Sequence, residues 1–329
     1  MVYGSLRTSN SDNPWKYLYE DVCWVLSHLY NVIVEFFIRN SILAFRFSSE
    51  RDDAPISEVN LSYLRNWISV LTQAILFIIT LPVALFYPLL ALRDTGVSRI
   101  RLPTLETGNE YTNEKWFFIN GVIVDRNWLD ENCKYLEKRF NRGVTGIHNT
   151  TYGFLWDFIE TILMRSFDID VVSVHLATQN ILPALKNEKI ETVRLIAHSE
   201  GTVMANLAIR KLYMELSYSD ESHLLKKLEV YTFANACREF ENPNGLIKRI
   251  EHYANKQDPV AMIGVLSNIH NDRFQGEIFV NETRNNGKGH LLNAYYSLNA
   301  IDYRSWRSDD AVPTFLNLPG FVANLPIAI

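Results

Sequence analysis

The stretch RLIAHSEGTVMANL, Arg194–Leu207, decides how this chain is read. It opens on the end of an apolar run, TVRLIA (Thr192–Ala197), whose continuous hydrophobicity predicts a buried strand. It closes on TVMANLAIRKLYMEL (Thr202–Leu216), whose apolar residues recur at helical spacing. Between them stand Ala197-His198-Ser199-Glu200-Gly201, with small residues two places either side of the serine. A strand that turns sharply into a helix needs small residues there, because the two backbones nearly touch. The serine at the apex is then lifted above the sheet with its hydroxyl free to react. Ser199 is therefore the candidate nucleophile.

A nucleophilic serine needs a base and a group to orient that base, and in the α/β-hydrolase arrangement, which this strand–turn–helix stretch resembles, they follow in the order serine, acid, histidine. In IEHYANKQDPVAMIG, Asp258 lies in a loop just after an apolar strand, Arg249–Ala254, and is followed by Pro259. In GEIFVNETRNNGKGHLLNAYY, His290 follows the next strand and a glycine-rich loop holding Gly287 and Gly289. Ser199, Asp258 and His290 are consistent in order, spacing and context. The competing residues have plainer readings: His252 within a strand as a core or surface histidine, and His270 in a polar loop. His198 is expected to point away along the turn, Glu251 and Asp272 to be solvated charges, and Asp157 to pack or cap a helix. The oxyanion of an acyl-transfer step needs N–H donors. One is the backbone of Glu200, the residue after the nucleophile. The second is expected from FFINGVIVD, at Val122 or alternatively Gly121, where glycine lets the backbone come close. An acidic residue at 200 is unexpected beside a site for negative charge.

Outside this core the chain changes character. Of 329 residues 47% are hydrophobic and 21% charged, a balance that supports an ordered fold, and the net charge is −5 without a long basic run. Nucleic-acid binding, which needs a concentrated cationic surface, has no support. Cys23, Cys133 and Cys237 are too scattered for a disulfide framework or a thiolate zinc site. There is no HExxH and no phosphate loop, so neither metal nor organic cofactor is expected. The first residues do not form a secretory signal.

Residues 1–100 form an apolar N-terminal region. Val22–Phe45 reads as an amphipathic helix with His28, Asn31, Glu35 and Arg39 along one side. Trp67–Leu92 holds no charged residue and as a continuous helix would reach roughly 39 Å at 1.5 Å per residue, against a hydrocarbon core of about 30 Å. Pro82 and Pro88 interrupt it. The run is expected to touch a membrane, spanning it or lying in one leaflet; the alternative is a helical hairpin packed on the core or forming a cap above it. Arg93, Arg99 and Arg101 after the run favour a cytosolic catalytic domain. The organelle is open, the endoplasmic reticulum among those compatible.

From residue 101 strands and helices alternate. TGVSRIRLPTLETGNEYTNEK reads as a connecting loop, Trp116–Val124 as a strand, and Asn127–Phe140 as a helix capped by Asn127. GVTGIHN is a short strand, FLWDFIETILMRSF a helix, and LATQNILPALKN a helix interrupted at Pro183. KLEVYTFA, IKRIEHYA and GEIFV follow as strands. Such an order implies a mostly parallel sheet covered on both faces.

At FINGV, GIHNTTYG, LIAHSEGT, KLEVYTFANACREF, IEHYANKQDPV and GHLLNAYY the chain resembles the α/β-hydrolase superfamily, and within it a little-characterised group of fungal serine-hydrolase-like proteins. The resemblance covers Lys115–Ser297. It departs at the serine turn, where the group reads HSQGG and this chain has Glu200 and Thr202, and again at ANACREF, in place of a glycine-asparagine run with a histidine. It implies an α/β-hydrolase-like domain over residues 101–329 that cleaves esters, thioesters or amides through an acyl-enzyme. Together with the apolar region, the expected substrate is a hydrophobic small molecule or lipid. Two further readings keep the fold: cyclisation, condensation or acyl transfer on a hydrophobic substrate, and a non-catalytic membrane-tethered binding protein. Oligomeric state is not legible.

Overall fold

A computed structural model describes residues 13–33, 98–105, 112–122, 124, 126–150, 154–283, 287–308 and 313–318. Eight strands, β1 (Ile100–Arg101), β2 (Glu114–Ile119), β3 (Val144–Ile147), β4 (Thr192–His198), β5 (Leu228–Phe233), β6 (Arg249–Asn255), β7 (Glu277–Asn281) and β8 (Arg304–Ser305), form one sheet in the order β1-β3-β2-β4-β5-β6-β7-β8. The six inner strands run parallel and the two short edges antiparallel. Parallel strands need crossovers, and these are supplied by α3 (Arg126–Phe140), α4 (Phe154–Phe167), α5 (Val172–Lys186) and α6 (Glu200–Tyr218), with α1 (Pro14–Ser27) and α2 (Leu29–Ile33) preceding them. Two single-turn helices, α7 (Pro259–Ile263) and α8 (Leu292–Tyr295), follow β6 and β7 in the chain.

The alternation of each strand sorts its side chains into two cores. Phe117, Ile119, Val193, Leu195, Ala197, Leu228 and Val230 meet α5 and α6 on one face. Trp116, Phe118, Ile196, Tyr231 and Phe233 meet α3 and the C-terminal segment on the other. This is the two-faced, mostly parallel sheet expected, an arrangement consistent with an α/β-hydrolase-like fold. Part of the apolar tail closes the second core: Phe315 is fully buried and stacks on Tyr231 at 3.8 Å between centroids.

Several local expectations are corrected. The stretch read wholly as a loop contains β1, which pairs antiparallel with β3. Arg101 bonds Asp130 at 2.9 Å and Glu137 at 2.7 Å, so it is engaged within the domain. The helix α3 starts at Arg126, one residue before its expected cap Asn127. Pro183 lies inside α5 without ending it, three residues before the end, where few backbone bonds remain to be lost. Glu251 is buried: it accepts from the Tyr253 hydroxyl and from the Phe315 N–H at 3.1 Å, and pairs with Arg249.

Of the N-terminal region, α1 and α2 are described and break at His28. The rest of Val22–Phe45 and all of Trp67–Leu92 lie outside the described residues. Among the described residues no helix is long and apolar enough to cross a membrane. The inward face of α1 docks on α4 through buried Asp21, which pairs with Arg165 (3.4 Å) and Arg238. Trp15 meets Phe167 edge-on at 5.1 Å, and the Arg238 guanidinium lies 4.3 Å over the Tyr17 ring. Removing one partner of a buried ion pair strands the others without water. Asp21→Ala should therefore destabilise the protein by about 3 kcal/mol in urea unfolding and strip hydrogen-exchange protection from residues 14–27. Unchanged protection there would show that Asp21 does not hold α1.

Candidate active site

Every expected site residue lies at the C-terminal ends of the parallel strands, the edge where ligands bind in open α/β sheets. Ser199 joins β4 to α6 with φ 58° and ψ −129°, a conformation a residue with a side chain adopts only under local compulsion. Close packing supplies that compulsion. A Cβ on Gly201 would stand 2.5 Å from the carbonyl oxygens of Ile119 and Asn120, so no larger residue fits there. The Ser199 N–H donates to the Phe233 carbonyl at 3.0 Å, and the Thr202 hydroxyl to the Ser199 carbonyl at 2.6 Å. Thr202, which departs from the glycine of the resembled turn, thus holds the apex from below.

The structure brings Ser199, His290 and Asp258 together. His290 Nε2 is 2.9 Å from Ser199 Oγ, and its Nδ1 is 2.9 and 3.0 Å from the two Asp258 oxygens. A ring nitrogen facing a carboxylate carries the hydrogen, so Nδ1 donates and Nε2 turns its lone pair to the serine hydroxyl. Asp258 is fully buried, accepts from Val260 N–H at 2.9 Å as the cap of α7, and accepts from the Tyr296 hydroxyl at 2.6 Å. Burial and the adjacent Asp258 charge hold Tyr296 well above the usual phenol range, keeping it a donor. Asn255 Nδ2 donates to the Gly289 carbonyl at 2.9 Å, fastening the loop that carries His290. Gly289 has φ 95°, and a Cβ there would meet the Tyr295 ring at 2.2 Å.

His198 does not point away. Its Nε2 donates to the His290 carbonyl at 2.9 Å and its ring lies 4.8 Å from that of His290. Burial, with the nearby His290, pushes its pKa down to about 3. His252 is a fully satisfied core histidine: Nε2 donates to the Gln275 carbonyl at 3.1 Å, leaving Nδ1 to accept from the Thr232 hydroxyl at 2.7 Å, and burial lowers its pKa to about 4. His270 is exposed, and its ring lies edge-on to Trp306 at 5.3 Å.

Gly121 lies against Ser199, its absent Cβ standing 2.5 Å from Ser199 Cβ and 3.1 Å from Oγ. Val122 follows it in the same turn. Glu200 is the first residue of α6, whose leading N–H groups have no partner within the helix. Its side chain is fully buried, and Asn149 Nδ2 donates to its Oε2 at 2.8 Å. Burial first, then the charges of Glu160 and Asp157, hold this carboxyl well above the usual range. Glu160, buried beside Asp157, is pushed up to about 8. Asp157 is thus one of three clustered carboxyl groups, and no group of His, Cys, Asp or Glu among the described residues is arranged to hold a metal ion.

Asn120, Asn149, His198, Asn255 and Tyr296 were not singled out for the site from sequence. The only signal was their position: each is a polar residue at or just beyond the end of an apolar strand or packed against one. No family model and no curated protein matches the chain, so the resemblance to the fungal group has no support from them. An esterase of Pyrobaculum calidifontis is similar in structure with 10% identity, over 63% of this chain and 81% of that one, at a TM-score of 0.31. A likeness of that size carries no weight for fold or activity.

The two buried histidines set an acid limit on stability. Both have folded pKa values below the ordinary 6.5, so below about pH 6.5 the unfolded chain binds protons the folded chain refuses. The histidines' own contribution falls as pH drops from about 6.5 to 4, while the raised Glu160 and Glu200 carboxyls act in the opposite sense. The slope of stability against pH should therefore be lower in His252→Gln than in wild type by up to about 1.4 kcal/mol per pH unit. Urea unfolding at stepped pH measures it. Equal slopes for the two proteins would contradict neutral burial of His252.

Proposed function

We propose that the chain is a membrane-associated serine hydrolase that cleaves an apolar ester or thioester through Ser199, His290 and Asp258. The observation that carries this reading is the 2.9 Å contact between His290 Nε2 and Ser199 Oγ, with Asp258 on the far side of the ring. His290 takes the hydroxyl proton at Nε2 as Ser199 Oγ bonds to the acyl carbon, and Asp258 stabilises the imidazolium. The carbonyl oxygen becomes an oxyanion held by the N–H groups of Glu200 and Val122, with Gly121 as the alternative second donor. Collapse breaks the bond to the alcohol or thiol, which leaves with the proton from His290. Water, deprotonated by the same histidine, then releases the acid and restores Ser199.

The membrane part rests on two features. Trp67–Leu92 is uncharged over a bilayer's thickness. Tyr19, Val22 and Leu26 are exposed along α1, as is Trp15 (67%) apart from its contact with Phe167, and α2 exposes Leu29 and Tyr30 (77%). The four in α1 share one arc of that helix, and tryptophan and tyrosine suit the membrane–water interface. An apolar substrate fits a lipid-facing enzyme. One observation favours the second reading, acyl transfer to an acceptor other than water: Ser199 and His290 are each only 2% exposed, which keeps bulk water from the acyl-enzyme.

Detergent-solubilised protein assayed on p-nitrophenyl esters and acyl thioesters of rising chain length should favour the longer chains. Ser199→Ala and His290→Ala should each lower kcat by about 10⁴–10⁶-fold, and Asp258→Asn by about 10⁴-fold. Liposome flotation of the same preparations reads the membrane part. Folded wild type that turns over no ester or thioester, with or without an added alcohol, would sink the enzymatic reading.

A further inference from the structure

We infer that Asn120, Asn149 and Glu200 form one buried hydrogen-bonded chain that orients both oxyanion donors of the site. Its members are positioning residues, and the inference rests on the hydrolase reading above. Asn120, fully buried at the end of β2, donates from Nδ2 to the Gly121 carbonyl at 2.9 Å and to the Asn149 carbonyl at 3.2 Å. Its Oδ1 accepts from the Asn149 N–H at 2.8 Å. The Gly121–Val122 peptide is planar and trans, so a carbonyl turned toward Asn120 turns the Val122 N–H the opposite way. That turn is the one packed against Ser199 Cβ and Oγ. The Asn120 carboxamide thereby sets the plane of one donor.

Asn149 carries the chain to the other donor. The Ser173 hydroxyl donates to its Oδ1 at 3.2 Å, which leaves Nδ2 to donate to Glu200 Oε2 at 2.8 Å. Glu200 is thus tied at its side chain to the segment after β3, while its own backbone N–H stands at the start of α6 beside Ser199. Two loops that meet at the nucleophile are fixed to each other by side-chain amides, with no water needed in the chain.

The arrangement also accounts for an acid where the resembled turn has glutamine. The groups facing the Glu200 carboxyl are Asn149 from the segment after β3, and Asp157, Glu160 and Thr161 from α4; none is a cation. Kept protonated by such neighbours, Glu200 is neutral and nearly isosteric with glutamine, and offers Asn149 the same acceptor. Ionised at higher pH, it places a negative charge beside the forming oxyanion.

The test uses the full chain in detergent, steady-state ester hydrolysis, and inhibition by an acyl trifluoromethyl ketone, whose hemiketal oxygen mimics the oxyanion. Asn149→Ala and Glu200→Ala should each lower kcat about 100-fold with KM within about twofold, and weaken the ketone by a matching factor. Glu200→Gln should recover at least about tenfold of the kcat lost in Glu200→Ala, and its activity should hold to higher pH than wild type, because the residue no longer ionises. If Asn149→Ala does not fold, Ser173→Ala, which frees the Asn149 carboxamide to rotate, should show the same kcat-only loss in smaller measure. Folded variants with kcat within twofold of wild type, a loss confined to KM, or Glu200→Gln no better than Glu200→Ala would overturn the chain's role while leaving the hydrolase reading intact. Inactive folded wild type would overturn both.

Discussion

The rest of the site depends on the left-handed backbone of Ser199. A residue with a side chain held at φ 58° costs about 1–3 kcal/mol, and the fold imposes it by leaving no other course for the chain. Gly201 lies against the end of β2, Gly121 lies against Ser199 itself, and the apex is hydrogen-bonded to β5 and to Thr202. The same contacts that enforce the strained turn bring the ends of β2 and β4 together. The serine and the donors proposed for its oxyanion are therefore set by one packing event.

On either side of this turn two carboxyl groups have opposite surroundings. Asp258 sits among donors: an imidazole N–H, a phenol and a backbone amide. Glu200 sits among carboxyl groups with a single amide donor and no cation. In the proposed mechanism the first environment suits the partner of His290, and the second suits a neutral group beside the oxyanion. His198 extends this economy, since a buried neutral ring can donate to the His290 carbonyl without adding a positive charge near the base.

The strands, the serine turn and the loop positions of Asp258 and His290 were legible because apolar periodicity and small residues are local signals. The two-residue strand β1 was not, because its pairing partner, β3, lies more than forty residues along the chain. Glu251 shows the limit: its sequence neighbours allow a solvated face, and its burial comes from the flanking strands β5 and β7 and the Phe315 segment. The orientation of His198 is not legible locally, because its acceptor lies on a loop 92 residues away. The amide chain through Asn120 and Asn149 escapes a sequence reading altogether, since its meaning lies in which peptide plane each carboxamide grips.

The most direct measurement is a crystal structure of the protein after reaction with an alkyl fluorophosphonate. Phosphorus is expected on Ser199 Oγ, with His290 Nε2 within hydrogen-bond distance of that oxygen and the phosphoryl oxygen about 2.7–3.1 Å from the N–H groups of Glu200 and Val122. Phosphorus on another residue, or a phosphoryl oxygen turned away from both amides, would contradict the proposed mechanism.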